Sequence, residues 1–410
     1  MPSGCASPPR WGEADMRSVL LQVAAVTMIN IKSIPRRFWL SLSTVVSIAL
    51  VVVVLLAFLA MANGFQRTLS GTGSEDIAVV LRGGSRSEIN SVVLRDQVRL
   101  VEEAPGVARG PDGKPLVSPE LYLTIDGIKR SSGTKANLPL RGIGPEGAAI
   151  RKDIRLIEGR MFNPGSNELV VGKAILSQFQ GFELGSTVVS GSTRWTVVGV
   201  FDAGGSVFDS EIWADLAVVQ SLFKRPNAFQ TLRLRLENPA AIAALKTYVE
   251  NDPRLKLEAK SEAAYYADQS SFTSDLIQKL GWPLAIAMAL GALAGALNTM
   301  YSSVAARASE IATLRAIGFG GFSAFVGTIV ESLILAAIGG LIGALITFLL
   351  FDGLTTSTLG ASFTQVVFSF KLSPMLIVQG VLLALVVGAI GGLFPALRAA
   401  RMPIVAGLSE

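Results

Sequence analysis

Histidines, thiolates and converging carboxylates carry much of the covalent and acid–base chemistry of enzymes, and this sequence is poor in all three. Its 410 residues include no histidine and a single cysteine, Cys5. That excludes Ser-His-Asp and Cys-His catalysis, imidazole metal ligands and histidine pH switching. One thiol forms neither an internal disulfide nor a thiolate metal site. A phosphate-binding loop reads GxxxxGK[ST], so that backbone N–H groups, a lysine and a hydroxyl converge. The nearest match, Gly113-Lys114-Pro115, lacks the first glycine and the hydroxyl. Paired carboxylates at Glu75-Asp76 and Glu102-Glu103 sit among as many basic residues and read as solvated surface. The remaining candidate is Glu331, a carboxylate inside an apolar run. A charge there is costly and marks either internal pairing, with Arg307 or Arg315, or proton or substrate handling.

The elements that position Glu331 are membrane spans. Half of the residues are hydrophobic, and roughly two dozen apolar residues flank each side of RASEIATLRAIGFG, residues 307–320. Each flank is long enough to cross a ~30 Å hydrocarbon layer. Between them Ile311, Leu314 and Ile317 recur every third residue beside Arg307, Glu310 and Arg315. This pattern predicts a short amphipathic helix at the membrane face within 307–320.

In chain order the sequence predicts a leader over 1–37 with an amphipathic helix at 19–34, and Met16 as an alternative start. A first span follows at 38–62. Ala60-Met61-Ala62 has the form of a signal-peptidase site and Arg36-Arg37 that of a twin-arginine signal, but the apolar run exceeds the 7–15 residues of a signal core. An uncleaved anchor is expected. Residues 63–278 alternate β-rich and helical runs with glycine- and proline-rich turns, which predicts a large α+β domain of one or two subdomains. Its last helix is expected to continue into the second span as a stalk. Spans at 279–306, 323–350 and 373–397 then enclose the inner segment 307–322 and a short polar outer loop, 351–372. A tail occupies 398–410.

Residues 63–278 hold 25 basic and 25 acidic side chains, so the net charge of +5 resides beside the spans. This argues against nucleic acid as a partner and for contact with membrane lipid. Placing the amino terminus inside satisfies the positive-inside rule at each short segment. The α+β domain is then extracytoplasmic, with both termini and residues 307–322 cytoplasmic. The last three spans each carry GxxxG: Gly291 and Gly295, Gly339 and Gly343, Gly388 and Gly392. Such pairs let helices approach closely in lipid, within or between subunits.

SEIATLRAIGFG, the following Glu331 and the Gly339-Gly340…Gly343 span together resemble the FtsX/MacB-type permeases of ABC transporters. The outer segment RLIEGRMFNPGSNELVVG…VVGVF and the ending PALRAARMPIVAGL are similar to that family's patterns. Ala312 stands where the family has glycine, Phe319-Gly320-Gly321 where it has a small or basic stretch, and Gly407 where it has alanine. The resemblance implies a non-catalytic half-transporter with no cofactor of its own. Its partners would be a separate cytoplasmic ABC ATPase, a second permease subunit as homo- or heterodimer, and a periplasmic adaptor. It assigns ATPase coupling to Glu310, Ile311, Leu314, Arg315, Ile317 and Gly318, with Glu331 as intramembrane support. Export in the bacterial inner membrane is the function it implies. A regulator of an extracytoplasmic enzyme and an anchored receptor are the alternatives.

Overall fold

A computed structural model describes residues 13–151, 154–191, 193–359 and 364–403. The chain opens with α1 (Glu13–Ser33), a 3₁₀ turn (Ile34–Arg37) and α2 (Phe38–Ser70). Next come β1 (Ile77–Arg82), β2 (Val93–Leu94), α3 (Arg95–Glu102), β3 (Val117–Lys129), β4 (Lys135–Ile143), α4 (Pro145–Ile150) and β5 (Arg155–Gly159). They are followed by β6 (Glu168–Gly172), α5 (Lys173–Gln178), β7 (Phe179–Gln180), β8 (Thr187–Ser190), β9 (Thr193–Asp202), β10 (Ile212–Asp215) and α6 (Leu216–Leu222). Then β11 (Ala228–Phe229), β12 (Thr231–Arg235), α7 (Ala241–Asn251) and β13 (Leu257–Ser261) lead to α8 (Glu262–Ala305). The described chain closes with α9 (Ala308–Ala316), α10 (Gly321–Phe351), β14 (Thr355–Leu359), β15 (Gln365–Ser369) and α11 (Pro374–Arg401).

The chain divides into two units: residues 13–60, 278–352 and 372–403 form the first, and 61–277 with 353–371 the second. Among the described residues, four helical segments are long and apolar enough to cross a membrane: Ser18–Ser70, Glu262–Ala305, Gly321–Phe351 and Pro374–Arg401. In the first unit, α1 is more than a surface helix. Val26 and Asn30 are buried, and a Cβ on Gly327 of α10 would lie 2.9 Å from Val26. Pro35, which cannot donate a helical hydrogen bond, falls in the 3₁₀ turn that separates α1 from α2.

The second unit is an α+β fold around one eleven-stranded sheet, in the order β13-β1-β12-β3-β4-β10-β6-β9-β5, with β7 on β3 and β8 on β9. Pairing is antiparallel except for β4–β10 and β6–β9. Alternation along the strands builds two separate cores. Ala78, Val80, Leu232 and Leu234 pack with Val98, Val101, Leu245 and Val249 of α3 and α7. Leu138, Leu140, Leu169, Val171, Trp195 and Val197 pack with Ile175 and Val219 of α5 and α6. The 13-residue strand β3 contributes to both, which makes the domain one sheet with two subdomains.

Two boundaries differ from the sequence-based expectation. The first long helix runs on to Ser70, because residues 63–70 contain no proline and Phe65 and Leu69 are buried. The polar outer loop contains the β14–β15 hairpin. Val366, Val367 and Phe368 of β15 are buried in the second unit, while β14 stays partly exposed. There Phe368 meets Phe65 edge-on at 5.6 Å, Val367 N donates to Ser210 Oγ at 2.9 Å, and Asn63 Nδ2 donates to Lys371 O at 2.9 Å.

Candidate functional site

Residues 307–322 contain a helix shorter than the pattern predicts, and its buried residues are Ala308 and Ala312 rather than the expected apolar stripe. α9 ends at Ala316 and Ile317 is its C-cap, with the Ile317 side chain 69% exposed. Gly318 explains the stop: its φ of +102° is left-handed, Gly318 N donates to Arg315 O at 3.1 Å and Phe319 N to Leu314 O at 3.0 Å. These two bonds are a Schellman cap, which glycine occupies without a Cβ penalty. Ile311 and Leu314 are half-buried and the Glu310 side chain is about half exposed. Arg315 donates to the Met402 carbonyl, so this arginine ties α9 to the chain beyond α11.

Behind α9 lies a buried charge cluster. Arg307 Nη1 donates to Glu331 Oε2 at 2.7 Å, Arg307 Nη2 donates to Asn30 Oδ1, and Arg307 Nε stands 3.8 Å from Glu310. Ser303 Oγ donates to Glu331 Oε1 at 3.4 Å, and Arg37 Nη1 donates to the Ser303 carbonyl and hydroxyl at 2.9 and 2.8 Å. Of the two partners the sequence offers Glu331, the structure selects Arg307. The pairing brings α1, α8, α9 and α10 to one point, and desolvated charges of this kind hold only with such geometry.

The glycine pairs behave differently from one another. A Cβ on Gly339 would lie 2.9 Å from Val45 O, and one on Gly343 2.7 Å from Ala49 O, so α10 is seated directly on α2. Cβ atoms on Gly388 and Gly392 would collide with Ala336 and Ser332, seating α11 on α10. On α8, Gly291 has no described atom within 4 Å of a Cβ, and Gly295 only Ser47 Oγ at 3.9 Å. Among the described residues, this pair packs nothing tightly.

A second cluster, in the second unit, was not foreseen. Arg141, Arg151 and Arg233 are buried together with Glu88, Glu120, Glu211 and Glu262. Arg141 donates to Glu211 at 2.8 and 2.6 Å and to Glu88 at 2.7 Å and 3.2 Å. Glu120 accepts from Arg151 at 2.7 and 2.8 Å, from Arg141 at 2.8 Å and from Arg233 at 3.2 Å. Arg233 also reaches Glu88 at 2.8 Å and the Tyr266 hydroxyl at 2.9 Å. Burial alone would raise the Glu120 carboxyl, but Arg151, Arg233 and Arg141 outweigh it and hold it at about 2. Glu211 is likewise held low by Arg141 against its burial. Burial dominates at Tyr265 and Tyr266, whose hydroxyls are pushed up. In sequence, Arg233 and Arg235 alternate with Leu232 and Leu234 and look like an exposed strand face. Only the Tyr265-Tyr266 pair at the start of α8 gave any sign that this face is covered.

Long apolar helices, a short capped helix braced by buried charge and a large α+β fold are the parts expected of a membrane permease. Comparison with known proteins agrees. A family model described as MacB-like periplasmic core domain matches residues 41–252, just over half of the chain. One described as FtsX-like permease C-terminal matches residues 283–404. The chain belongs to the FtsX/MacB-like permeases of ABC transporters.

Macrolide export ATP-binding/permease protein MacB 1 of Aeromonas hydrophila is 24% identical over 339 residues, which are 77% of this chain and 49% of that protein. The MacB 1/2 protein of Paracoccus denitrificans is 24% identical over 400 residues, 92% of this chain and 56% of that one. The chain thus spans about half the length of the curated relatives it matches. Among solved structures, the periplasmic region of MacB from Actinobacillus actinomycetemcomitans aligns over 46% of this chain and 90% of its own at 13% identity, with a TM-score of 0.35. The extracellular domain of the ABC-type transporter YknZ from Gram-positive bacteria aligns over 45% of this chain and 100% of its own at 16% identity, with a TM-score of 0.34.

Proposed function

We propose that this chain is the permease subunit of an ABC-type export system in a bacterial inner membrane, coupling a separate cytoplasmic ATPase to movement of its extracytoplasmic domain. The observation that carries this reading is α9: a short helix between two long apolar helices, capped at Gly318 and braced from behind by the Arg307–Glu331 pair. Its outer side offers Glu310, Ile311, Leu314 and Ile317 to a partner. A helix so held transmits a push to α8 and α10 without melting. An ATPase that binds it more tightly in one arrangement of the helices biases the bundle toward that arrangement. In this reading two permease subunits pair, α8 carries the motion outward as a stalk, and an adaptor meets the outer domain.

The test is affinity purification from the native membrane with an ATPase assay, comparing the unaltered chain with Leu314→Asp and Glu310→Lys. An ATPase that copurifies and is lost in both variants supports coupling through α9. Full retention in both removes α9 from that role.

A further inference from the structure

The buried cluster of the second unit has an unequal charge inventory. Three guanidinium groups, Arg141, Arg151 and Arg233, face four carboxyl groups, Glu88, Glu120, Glu211 and Glu262. Glu88, Glu120 and Glu211 each accept hydrogen bonds from these arginines. They neutralise all three cations. Glu262, the first residue of α8, is the surplus. Its side chain is 2% exposed. Arg233 Nε forms an ion pair with its Oε1 at 2.9 Å in a geometry too poor for a hydrogen bond, while Nη1 and Nη2 of Arg233 are committed to Glu88, Glu120 and Tyr266. An anion there would be a fourth negative charge against three guanidinium groups, desolvated and held only by that misaligned contact. The positive end of the α8 dipole offsets only part of that cost.

Glu262 also has a route for a proton. It lines a cavity of about 280 Å³ together with Asp76, Arg151, Ser206 and Arg235, where Arg151 Nε is a further buried donor without a partner. Across the cavity Arg235 is paired with Asp76 at 3.3 Å, so it does not supply the missing charge. The groups that face Glu262 are therefore Arg233 of β12, Arg151 after α4, Glu120 of β3 and Arg141 of β4, with the Asp76–Arg235 pair beyond. Burial is the largest influence on the Glu262 carboxyl and raises it, against the pull of Arg233 and Arg151.

We propose that Glu262 is a positioning residue that seats the first turns of α8 in the second unit as a neutral acid, so that loss of its proton loosens this seat. The seat is tight: a Cβ on Gly73 would lie 2.8 Å from Glu262 Cγ. One turn further on, Tyr265 bonds Glu88 N at 3.2 Å and Tyr266 bonds Arg233. If α8 acts as a stalk, as proposed above, the outer domain follows the stalk only while Glu262 holds its proton. The consequence rests on that reading, but the seat itself is measured without any ATPase.

The experiment uses the full-length chain in lipid nanodiscs with Cys5→Ser and spin labels at Ala267→Cys on α8 and Ala244→Cys on α7, both exposed positions. Distances are recorded from about pH 5 to about pH 9. A single proton predicts a narrow distribution in acid and a second, broad population in alkali, the ratio changing about tenfold per pH unit near its midpoint. Tyr265 and Tyr266, pushed up by burial, keep their protons over this range. Glu262→Gln, a permanent mimic of the neutral acid, should stay narrow throughout. A pH-invariant wild type overturns the proposal. So does a Glu262→Gln variant that is broad at every pH, or one that fails to fold while Glu262→Asp folds.

Discussion

Arg307 and Glu331 stand 24 residues apart in the chain and 2.7 Å apart in space. Neither is exposed beyond a few per cent, so each charge depends on the other. Removing one partner of such a pair costs about 3–5 kcal/mol, because the other is left buried and uncompensated. Arg307→Met and Glu331→Leu should each lower the unfolding midpoint of the purified chain markedly. The double variant should be less destabilised than the two singles added together. Additive losses in this double-mutant cycle would mean that the pair is not coupled.

Gly318 makes a narrower prediction. At φ +102° a side chain carries a left-handed penalty of about 1–2 kcal/mol, confined to the last turn of α9. Gly318→Ala should reduce ATPase recovery in the copurification assay while leaving the melting of the whole chain nearly unchanged. Gly320→Ala is the control, since Gly320 has φ −70° and a Cβ there would meet nothing closer than 3.8 Å. Equal effects at the two positions would show that the cap has no role in docking.

The glycine pairs separate contacts inside the chain from contacts outside it. Gly343→Leu and Gly388→Leu would each drive a side chain into a neighbouring helix, and overpacking of this kind typically costs about 1–3 kcal/mol or more. Gly291→Leu meets open space and should leave the stability of the isolated chain unchanged. If it nevertheless abolishes the recovery of a second, differently tagged permease copy, Gly291 faces that copy. Unchanged recovery would place Gly291 against lipid.

How much of this was legible in the sequence depends on what buries each residue. Long apolar runs declare themselves, because a helix in lipid is apolar all round, whereas the pattern sets the end of α9 later than Ala316, within 307–322. The Arg307–Glu331 pairing was one of two options, since spacing does not decide which arginine returns to α10. The outer cluster was invisible for a physical reason. Glu120, Arg141 and Arg233 lie on strands whose alternate residues form the hydrophobic cores, and such a pattern normally means a wet second face. Here α4, the turn before β10 and the start of α8 cover that face, and only long-range contacts create the cover. The β14–β15 hairpin escaped notice because threonine and serine in TTSTL read as turn as readily as strand.

The same cluster fixes how the second unit responds to acid. Glu120 is held at about 2 by three arginines, below the ~4.3 of a free glutamate. A depressed carboxyl stabilises the fold fully above its unfolded value, and this stabilisation is lost as pH falls through the folded one. The loss should therefore lie between about pH 4 and about pH 2, with Glu211, also held low, contributing in the same sense. Glu262 has the opposite sign, since its raised carboxyl favours the fold in acid and opposes it as pH rises. Indole emission offers a reporter, because Trp213 Nε1 donates to Glu211 Oε2 at 2.9 Å and should shift when Glu211 takes up a proton. Glu120→Gln should flatten the acid limb and destabilise the chain at neutral pH, where the three arginines lose their shared anion. An acid limb that persists unchanged in Glu120→Gln would assign the acid response to other carboxylates.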